Sequence, residues 1–279
     1  MTAAAVNPSI RSRAAIDLAI VCPMANEGGN ANAFVHATLD QCAGLHSVTF
    51  LAVVDEASTD NTRQILDALA RANPAVVVVW APENRCAVDA YVRGYKEALT
   101  RHADWILEID AGFSHQPADI PQFFEQMEKG YDCVFGSRFM EGGKITDGSS
   151  KRYFVSRMGT VLSNLLLGTN LADMTSGFEM FSCRALTHIL ERGIHSRAHF
   201  FQTEIKVYCR NLKIIEVPIH YKSPSPRMKS SAITDAFWQL GRLFALRLSA
   251  QPRGMSENQP DYNDDLRPYT ADAPVRGRE

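Results

Sequence analysis

Carboxylates close two apolar runs of this sequence. The stretch WILEIDAGFSHQP, residues 105–117, ends its apolar part at Asp110, and the run VTFLAVV ends at Asp55 and Glu56. This pattern is typical of a buried strand that carries an acid at its exposed end. Such an acid can accept hydrogen bonds from a nucleobase or a ribose, and together with phosphate oxygens it can hold Mg²⁺. The sequence therefore predicts a polar ligand site where strands end.

The elements that would position these acids alternate along the chain. Apolar runs lie at residues 17–21, 48–54, 76–80, 105–109 and 133–135, and helical patterns separate them at residues 29–41, 60–72, 87–100 and 120–129. This alternation predicts right-handed βαβ units and an α/β fold with a doubly wound, mostly parallel sheet. Ligands bind outside the carboxyl ends of the strands in such sheets, so we expect the acids at one edge.

The second half of the chain changes character. A Gly-rich polar stretch at residues 141–150 predicts a mobile loop. Further strands are expected at residues 178–181 and 214–221, and helices at residues 151–167, 185–192, 200–210 and 233–248.

Several classes of protein are excluded by composition and motif. The formal net charge of -2 gives no basic footprint, so no nucleic-acid partner is expected. Gly28 and Gly29 follow the first strand without the G-x-G-x-x-G spacing of a dinucleotide site, and no P-loop motif occurs. The six cysteines contain no C-x-x-C pair, which indicates reduced thiols and no zinc site. The apolar runs are short, so we expect neither a secretory signal nor a membrane-spanning helix.

Several ordered motifs between residues 18 and 231 resemble the inverting family-two glycosyltransferases, which have the GT-A fold. Within that family they resemble the polyprenyl-phosphate glycosyltransferases, such as the dolichol-phosphate mannose synthases. Pro23, Asn26 and Glu27 match the P-x-x-N-E motif that lies against the nucleotide, and Asp55 and Glu56 stand where the family has two aspartates. The resemblance implies a UDP-sugar or GDP-sugar donor.

Two cationic stretches belong to the same expected donor site. Arg85 and Asp89 lie in the segment that corresponds to the family's Gly-rich turn, where a cation would suit a diphosphate. Arg227 and Lys229 lie where related enzymes close a flexible R-x-x-x-S-K loop over the diphosphate, although the order of residues is altered here.

The opening stretch matches the family's D-x-D motif, which holds Mg²⁺ or Mn²⁺ against the donor diphosphate. Asp110 keeps the first acid, Gly112 replaces the second, and Ser114 occupies the third ligand position. One aspartate could suffice for a weakened metal site, because Mg²⁺ binds through one or two carboxylates, phosphates and water. Alternatively the transfer is independent of metal, and cations neutralise the leaving diphosphate.

The acceptor decides which further residues the chemistry needs. A phosphate monoester is already anionic and has only to be held, whereas a hydroxyl needs a general base. For a phosphate, the resemblance implies Arg138, Arg152, Ser156 and Asp173 as binding residues, with Asp110, Arg138 and Glu204 as the catalytic set. For a hydroxyl, Glu204 or Asp173 would be the base. An inactive nucleotide-sugar-binding protein is the third alternative.

The predicted domain organisation follows from these motifs. Residues 1–15 form an N-terminal extension, 16–231 the GT-A catalytic domain, 232–250 an amphipathic helix, and 251–279 a disordered tail. Basic and aromatic residues in the helices at 151–167 and 233–248 suit a membrane surface if the acceptor is a lipid. We therefore expect a cytoplasmic protein that contacts the inner face of a membrane directly or through a membrane-anchored partner.

Overall fold

A computed structural model describes residues 13–147, 150–222 and 230–249 of the chain. The strands are β1 Asp17–Pro23, β2 Ser47–Val54, β3 Val76–Trp80, β4 Trp105–Glu108, β5 Cys133–Ser137, β6 Lys144–Thr146, β7 Glu179–Ser182, β8 Ile214–Pro218 and β9 His220–Lys222. The α-helices are α1 Ala31–Asp40, α2 Thr62–Ala72, α3 Ala87–Thr100, α4 Ile120–Glu128, α5 Ser150–Leu167, α6 Cys183–Arg192, α7 Phe201–Tyr208 and α8 Ser230–Ser249.

Seven strands form the central sheet in the order β3-β2-β1-β4-β7-β5-β8. All neighbours pair in parallel except β7, which runs antiparallel to both β4 and β5. The carboxyl ends of β1, β2, β4 and β5 therefore meet at one edge of the sheet. The prediction of a doubly wound, mostly parallel sheet is confirmed.

The core consists of two layers, one on each face of the sheet. Alternate residues of β1 divide between them: Val21 packs in the layer that contains α3, α6 and α7, and Ile20 in the layer that contains α1, α2 and α4. This alternation follows from the two-residue period of a strand. Helix α3 approaches β1 closely at Gly94, where a Cβ would lie 2.3 Å from Val21 Cγ1. Position 94 therefore requires a glycine.

Two predicted elements differ from the structure. The stretch 141–150, predicted as a mobile loop, contains the short strand β6, which pairs in parallel with β9. The strand predicted at 214–221 is two strands, β8 and β9, and they belong to different sheets. Both differences arise from pairing with distant segments, which local composition does not report.

Other predictions meet the limits of the described residues. Most of the N-terminal extension and the whole of the predicted tail, 251–279, lie outside the described residues. Arg13 begins a short 3-10 helix, Arg13–Ala15, and its guanidinium pairs with Glu128 at 2.9 Å.

All six cysteines are free thiols, as predicted. In the described parts of the chain, none of the helices has the length and apolarity that crossing a bilayer demands.

Candidate active site

The loops that follow β1 and β2 are joined by Asn26. Its side-chain Nδ2 donates to the Ala57 carbonyl at 2.9 Å, and its Oδ1 accepts from the Thr59 N–H at 2.9 Å. Asn26 has φ +59°, a conformation that Asn tolerates better than most residues. The amide is thus engaged in holding the two loops together. Asp55 lies in the second loop, where its Oδ1 accepts from the Ala57 N–H at 3.0 Å, and Glu56 is exposed.

A second set of hydrogen bonds fixes the start of α1. The Glu27 N–H donates to Thr62 Oγ1 at 2.7 Å, and the Gly28 N–H donates to Asp60 Oδ2 at 2.9 Å. Asp60 also accepts from the Thr62 hydroxyl and N–H, and these bonds lower the pKa of the Asp60 carboxyl. Pro23, Asn26, Glu27 and Asp55 therefore belong to one cross-linked edge.

Asp110 follows β4 by two residues and is oriented by Tyr91. The Tyr91 hydroxyl donates to Asp110 Oδ1, and the Asp110 side chain remains 45% exposed. Burial, and then the charge of Asp110, raise the pKa of Tyr91 well above its ordinary value, so the hydroxyl keeps its proton and donates. The carboxylate is thus held at Oδ1 by Tyr91, and its Oδ2 lies 3.8 Å from His115 Nδ1.

His115 is buried behind Asp110. Its ring stacks on Phe178 and contacts Tyr221, and its Nδ1 accepts the Asp110 N–H at 3.2 Å. Burial lowers the pKa of His115 to about 4, so the ring is neutral at physiological pH. With Nδ1 used as an acceptor, His115 supports the backbone of Asp110.

Gly112, which stands at the second acid of the D-x-D pattern, lies against Glu27. It has φ +72°, and a Cβ there would lie 2.8 Å from Glu27 Oε2. The next residue, Phe113, also has a positive φ of +61°. Ser114 is half-buried, and its carbonyl accepts the Lys222 N–H at 2.9 Å. The turn after Asp110 therefore lies against the loop that carries Glu27.

Arg138 follows β5 and is paired with Asp173. Its Nε and Nη2 donate to the two Asp173 oxygens at 2.7 and 2.9 Å, and Nη2 also donates to Thr175 at 2.6 Å. The Arg138 side chain is only 7% exposed and Asp173 is fully buried. Burial favours the neutral forms, but the ion pair outweighs it, so the pKa of Asp173 is lowered and that of Arg138 is raised.

Both Asp173 oxygens accept hydrogen bonds within the fold, from Arg138 and Thr175. Its roles as an acceptor-binding residue or as a base stay predictions. Arg138 uses Nε and Nη2 in these bonds, and its contact with the acceptor phosphate stays a prediction.

Glu204 is a buried structural carboxylate. It accepts from the N–H groups of His195 and Ser196, at 3.1 and 2.9 Å, from the Tyr208 hydroxyl at 2.7 Å, and from Arg242 of α8. These bonds attach the loop before α7 and the helix α8 to α7. Both Glu204 oxygens are thus engaged within the fold, and its role as a catalytic base stays a prediction.

Two further buried carboxylates lie opposite each other on β4 and β7, Glu108 and Glu179. Glu179 pairs with Lys206 of α7, while Glu108 accepts from Tyr95 and Gln202. Burial raises the pKa of Glu179 to about 7, and burial followed by repulsion from Glu179 raises that of Glu108 well above its usual range. Glu108 of this pair precedes Asp110 by two residues in the sequence.

Sequence reasoning missed the role of Tyr91, although a spacing signal was present. Tyr91 and Tyr95 are four residues apart on α3, which is about 6 Å along a helix. Asp110 and Glu108 are two residues apart at the end of β4, which is about 6.6 Å along an extended chain. The two hydroxyls therefore match the two carboxylates in register.

The remaining predicted residues are scattered or undescribed. Arg85 pairs with Asp89 at 3.0 Å, and both line a cleft of about 230 Å³ together with Arg197. Ser156 is half-buried on α5. Arg227 and Lys229 lie outside the described residues, as does the side chain of Arg152.

The side chains around Asp110 offer few ligands for a divalent cation. Within residues 13–147, 150–222 and 230–249, no group of three or more His, Cys, Asp or Glu side chains could hold a metal ion. Mg²⁺ does not need such a group, since one or two carboxylates with substrate phosphates and water suffice. The Asp110 side chain is 45% exposed, and the Glu27 carboxylate lies beside Gly112. The residues present fit a cation that is shared with a diphosphate.

Comparison with known proteins identifies similar chains. Residues 19–190 match the model of glycosyl transferase family 2. An undecaprenyl-phosphate mannosyltransferase from Micrococcus luteus is 33% identical over 171 residues, which cover 61% of this chain and 70% of that protein. A polyprenol monophosphomannose synthase from Mycolicibacterium smegmatis is 26% identical over 227 residues, 79% of this chain and 84% of that protein.

A solved structure also resembles this fold. The glucosyl-3-phosphoglycerate synthase of Mycobacterium tuberculosis, in complex with Mn²⁺, UDP-glucose and phosphoglyceric acid, aligns with a TM-score of 0.61 at 16% identity. The alignment covers 87% of this chain and 83% of that one. At this identity the likeness concerns the fold, which is the GT-A fold.

Proposed function

The chain belongs to glycosyl transferase family 2, and we propose that it moves a sugar from a nucleoside-diphosphate sugar to a polyprenyl phosphate with inversion at the anomeric carbon. The chain is a glycosyltransferase, and the proposal concerns its donor and acceptor. Two relatives that it resembles over most of their length carry undecaprenyl phosphate or polyprenol monophosphomannose in their names. Those names support a lipid-phosphate acceptor and make mannose the first sugar to test.

The observation that carries the proposal is the state of the two carboxylates predicted as bases. Asp173 is locked to Arg138, and Glu204 accepts from the loop before α7, from Tyr208 and from Arg242. A hydroxyl acceptor needs a base that can take its proton, whereas a phosphate monoester attacks as an anion without one. A site whose predicted bases are both occupied suits the phosphate better than the hydroxyl.

The transfer is a single in-line displacement. An oxygen of the polyprenyl phosphate forms a bond to the anomeric carbon, and the bond from that carbon to the donor diphosphate breaks. The nucleoside diphosphate leaves with the electron pair, and the product is a glycosyl phospholipid. No proton has to be moved, so the work of the protein is to hold both partners and to stabilise charge.

The chain's residues divide between donor and acceptor. We assign the nucleoside to the edge formed by Pro23, Asn26, Glu27 and Asp55, and the diphosphate to Asp110. Mg²⁺ or Mn²⁺, when bound there, supplies positive charge to the leaving diphosphate. A relative of the same fold is described with Mn²⁺ and UDP-glucose, which supports this use of a metal.

The acceptor phosphate is assigned to the start of α5. Arg152 and Ser156 are four residues apart, so they share one face of that helix. The Arg138 guanidinium, which is held by Asp173, lies over the rings of Phe139 and Tyr221, at 5.2 and 5.4 Å from their centroids. Arg138 is thus proposed as a positioning residue.

The test is sugar transfer from a panel of UDP-sugars and GDP-sugars, mannosyl donors first, followed by mass spectrometry of the lipid product. Two matched acceptors separate the classes: a polyprenyl phosphate and the corresponding polyprenol, which carries a hydroxyl in place of the phosphate. We expect product from the phosphate alone, and a loss of about a hundredfold in Asp110→Asn. Product from the polyprenol would favour the hydroxyl alternative. Each reaction is run with Mn²⁺ and with excess EDTA.

A further inference from the structure

Tyr221 of β9 contacts one residue on each side of the candidate site. Its ring centroid lies 5.3 Å from that of His115, which supports the backbone of Asp110, and 5.4 Å from the Arg138 guanidinium. His115, Arg138 and Tyr221 are all buried, with exposed fractions of 2%, 8% and 7%. One aromatic ring, shielded from solvent, therefore joins the loop of Asp110 to the end of β5.

The backbone around Tyr221 is fixed by two neighbouring segments. Tyr221 forms an antiparallel β-bridge with His115, and the Lys222 N–H donates to the Ser114 carbonyl at 2.9 Å. On its other side β9 pairs with β6, where Tyr221 is in register with Ile145. The small β6–β9 sheet thus carries the Tyr221 ring to a defined place beside the loop of Asp110.

The orientation of the His115 ring depends on aromatic contacts. Phe178 stacks on it at a centroid distance of 5.0 Å, and Tyr221 contacts it at an interplanar angle of 55°. His115 Nδ1 accepts the Asp110 N–H at 3.2 Å, which requires the imidazole to keep its present rotation. The two rings therefore help to hold the backbone of Asp110.

The Arg138 guanidinium is restrained on its faces as well as at its donors. Its Nε and Nη2 are bonded to Asp173, and the rings of Phe139 and Tyr221 lie 5.2 and 5.4 Å from it. A cation is attracted to the face of an aromatic ring, more strongly where water is excluded. Phe139 differs from Tyr221 in one respect: in the described parts of the chain it has no ring contact with His115.

We infer that Tyr221 is a positioning residue for both substrates, acting on the donor through His115 and Asp110 and on the acceptor through Arg138. This inference rests on the proposed function, which assigns Asp110 to the donor and Arg138 to the acceptor side. Because Tyr221 is buried, it acts through these residues without touching either substrate.

The test compares two variants of Tyr221 by two constants. The Kd of UDP and GDP is measured by calorimetry with Mn²⁺ and without acceptor, and the acceptor KM is measured at saturating donor. We expect Tyr221→Leu to raise the nucleotide Kd about threefold to tenfold, since His115 loses a ring contact. Its acceptor KM should rise about threefold or more, since Arg138 loses a desolvated cation–π contact. Tyr221→Phe keeps the ring, so both constants should stay within about twofold of the wild type.

Phe139→Leu is the matched control, because it removes a ring from Arg138 and none from His115. We expect it to raise the acceptor KM and to leave the nucleotide Kd unchanged. A nucleotide Kd that rises equally in Phe139→Leu and Tyr221→Leu would overturn the path through His115.

A merely structural role of Tyr221 gives a different result. In that case Tyr221→Leu would lower the melting temperature and leave the nucleotide Kd and the acceptor KM unchanged, which would overturn the inference. Equal losses in Tyr221→Phe and Tyr221→Leu would also overturn it, because the hydroxyl rather than the ring would then matter. Tyr221→Met, which keeps more of the side-chain length, replaces Tyr221→Leu if circular dichroism shows the latter to be unfolded. A chain that unfolds in both variants would make Tyr221 a residue of the fold alone and reject the inference.

Failure of the proposed function is distinguishable from failure of this inference. If the wild type transfers sugar to the polyprenol and not to the polyprenyl phosphate, the proposed acceptor is wrong. The nucleotide Kd of the Tyr221 variants then still tests the donor half, and the KM for the polyprenol tests the acceptor half. Conversely, transfer to the polyprenyl phosphate with unchanged constants in Tyr221→Leu would keep the proposed function and reject the role of Tyr221.

Discussion

At the scale of single residues, the orientation of Asp110 depends on one hydroxyl. Tyr91 donates to Asp110 Oδ1, and its ring packs on Phe201 at a centroid distance of 5.3 Å. The ring fixes the position of the hydroxyl, and the hydroxyl fixes the carboxylate. Tyr91 therefore acts through Asp110, as a positioning residue.

We expect Tyr91→Phe to lower kcat/KM for the donor about tenfold or more, because a hydrogen bond to a charged group contributes about 1.5–3 kcal/mol. The phenyl ring keeps its packing, so the melting temperature should change by only a few degrees. The matched control is Tyr131→Phe, at the amino end of β5, which should keep full activity. If Tyr91→Phe retains wild-type kcat/KM and wild-type Mn²⁺ affinity, Asp110 does not depend on Tyr91.

The sequence reveals some of these residues and hides others. Asp110 was predictable because it closes an apolar run. The contact between Glu27 and Gly112 was not, since it joins two distant loops and depends on a positive φ at position 112. The sequence does not separate the possible roles of Glu204 and Asp173, because an acid near a helix or turn has the same local pattern whether it binds substrate or holds loops together.

At the scale of secondary-structure elements, the pairing of β4 with β7 places two acids side by side. Glu108 lies opposite Glu179, and Lys206 neutralises only the second of them. A buried carboxylate without a cation is expected to bind a proton. Burial, and then repulsion from Glu179, therefore raise the pKa of Glu108 well above its ordinary value, whereas Lys206 opposes the effect of burial at Glu179.

This difference predicts losses of stability of different size for two conservative variants. Glu108→Gln resembles a protonated glutamate, and we expect the free energy of unfolding at pH 7 to change by less than about 1 kcal/mol. Glu179→Gln leaves the Lys206 charge buried and unpaired, and we expect a loss of about 3–5 kcal/mol. Urea denaturation of both variants at pH 7 measures the difference, and similar losses in the two would contradict the assignment of charges.

The same acids make stability depend on pH. Both have pKa values above the ordinary 4.5 in the folded protein, so the unfolded chain loses these protons at lower pH than the folded chain does. Their contribution to stability is complete below about pH 4.5 and is lost as the pH rises through about 7 and beyond. Between these values we expect the free energy of unfolding to fall less in Glu108→Gln than in the wild type, and urea titrations at several pH values test this.

The elements themselves were largely predictable. Helix α3 begins and ends at the predicted residues, because its apolar face is clear and Thr100 precedes a polar turn. The antiparallel direction of β7 and the small β6–β9 sheet were not predicted. Periodicity identifies a strand, but its partner and direction depend on contacts between distant segments.

At the scale of the whole molecule, one face is unusually apolar. Nearly all large hydrophobic side chains exposed in the described residues lie on α5 and α8, among them Leu165 at 74% and Trp238 at 75% exposure. The two helices pack against each other, and Arg247 of α8 donates to the Leu166 carbonyl at the end of α5. We propose that this face contacts the membrane that holds the lipid acceptor.

We expect the wild type to sediment with phospholipid vesicles and the double variant Leu165→Ser, Trp238→Ser to lose at least about tenfold in partitioning. The physical reason is the loss of apolar area that would be buried in the interface. Trp80→Ser is the control, since Trp80 is an exposed residue of the edge strand β3 and belongs to neither α5 nor α8. The Arg63 guanidinium lies 4.0 Å from the centroid of its ring. Equal partitioning of the double variant would reject this face, and transfer to a short-chain, water-soluble acceptor should be unaffected in it.

The position of β7 between β4 and β5 affects how the chain folds. Residues 17–108 can pair β1 to β4 by themselves, but one edge of β4 and both edges of β5 stay open until Glu179–Ser182 arrives, because β8 comes later still. On the ribosome this strand emerges late, after most of the sheet has been synthesised. Closure of the sheet over such a sequence separation is slow, and open strand edges invite aggregation. We therefore expect the nascent chain to need chaperone protection until β7 has been translated.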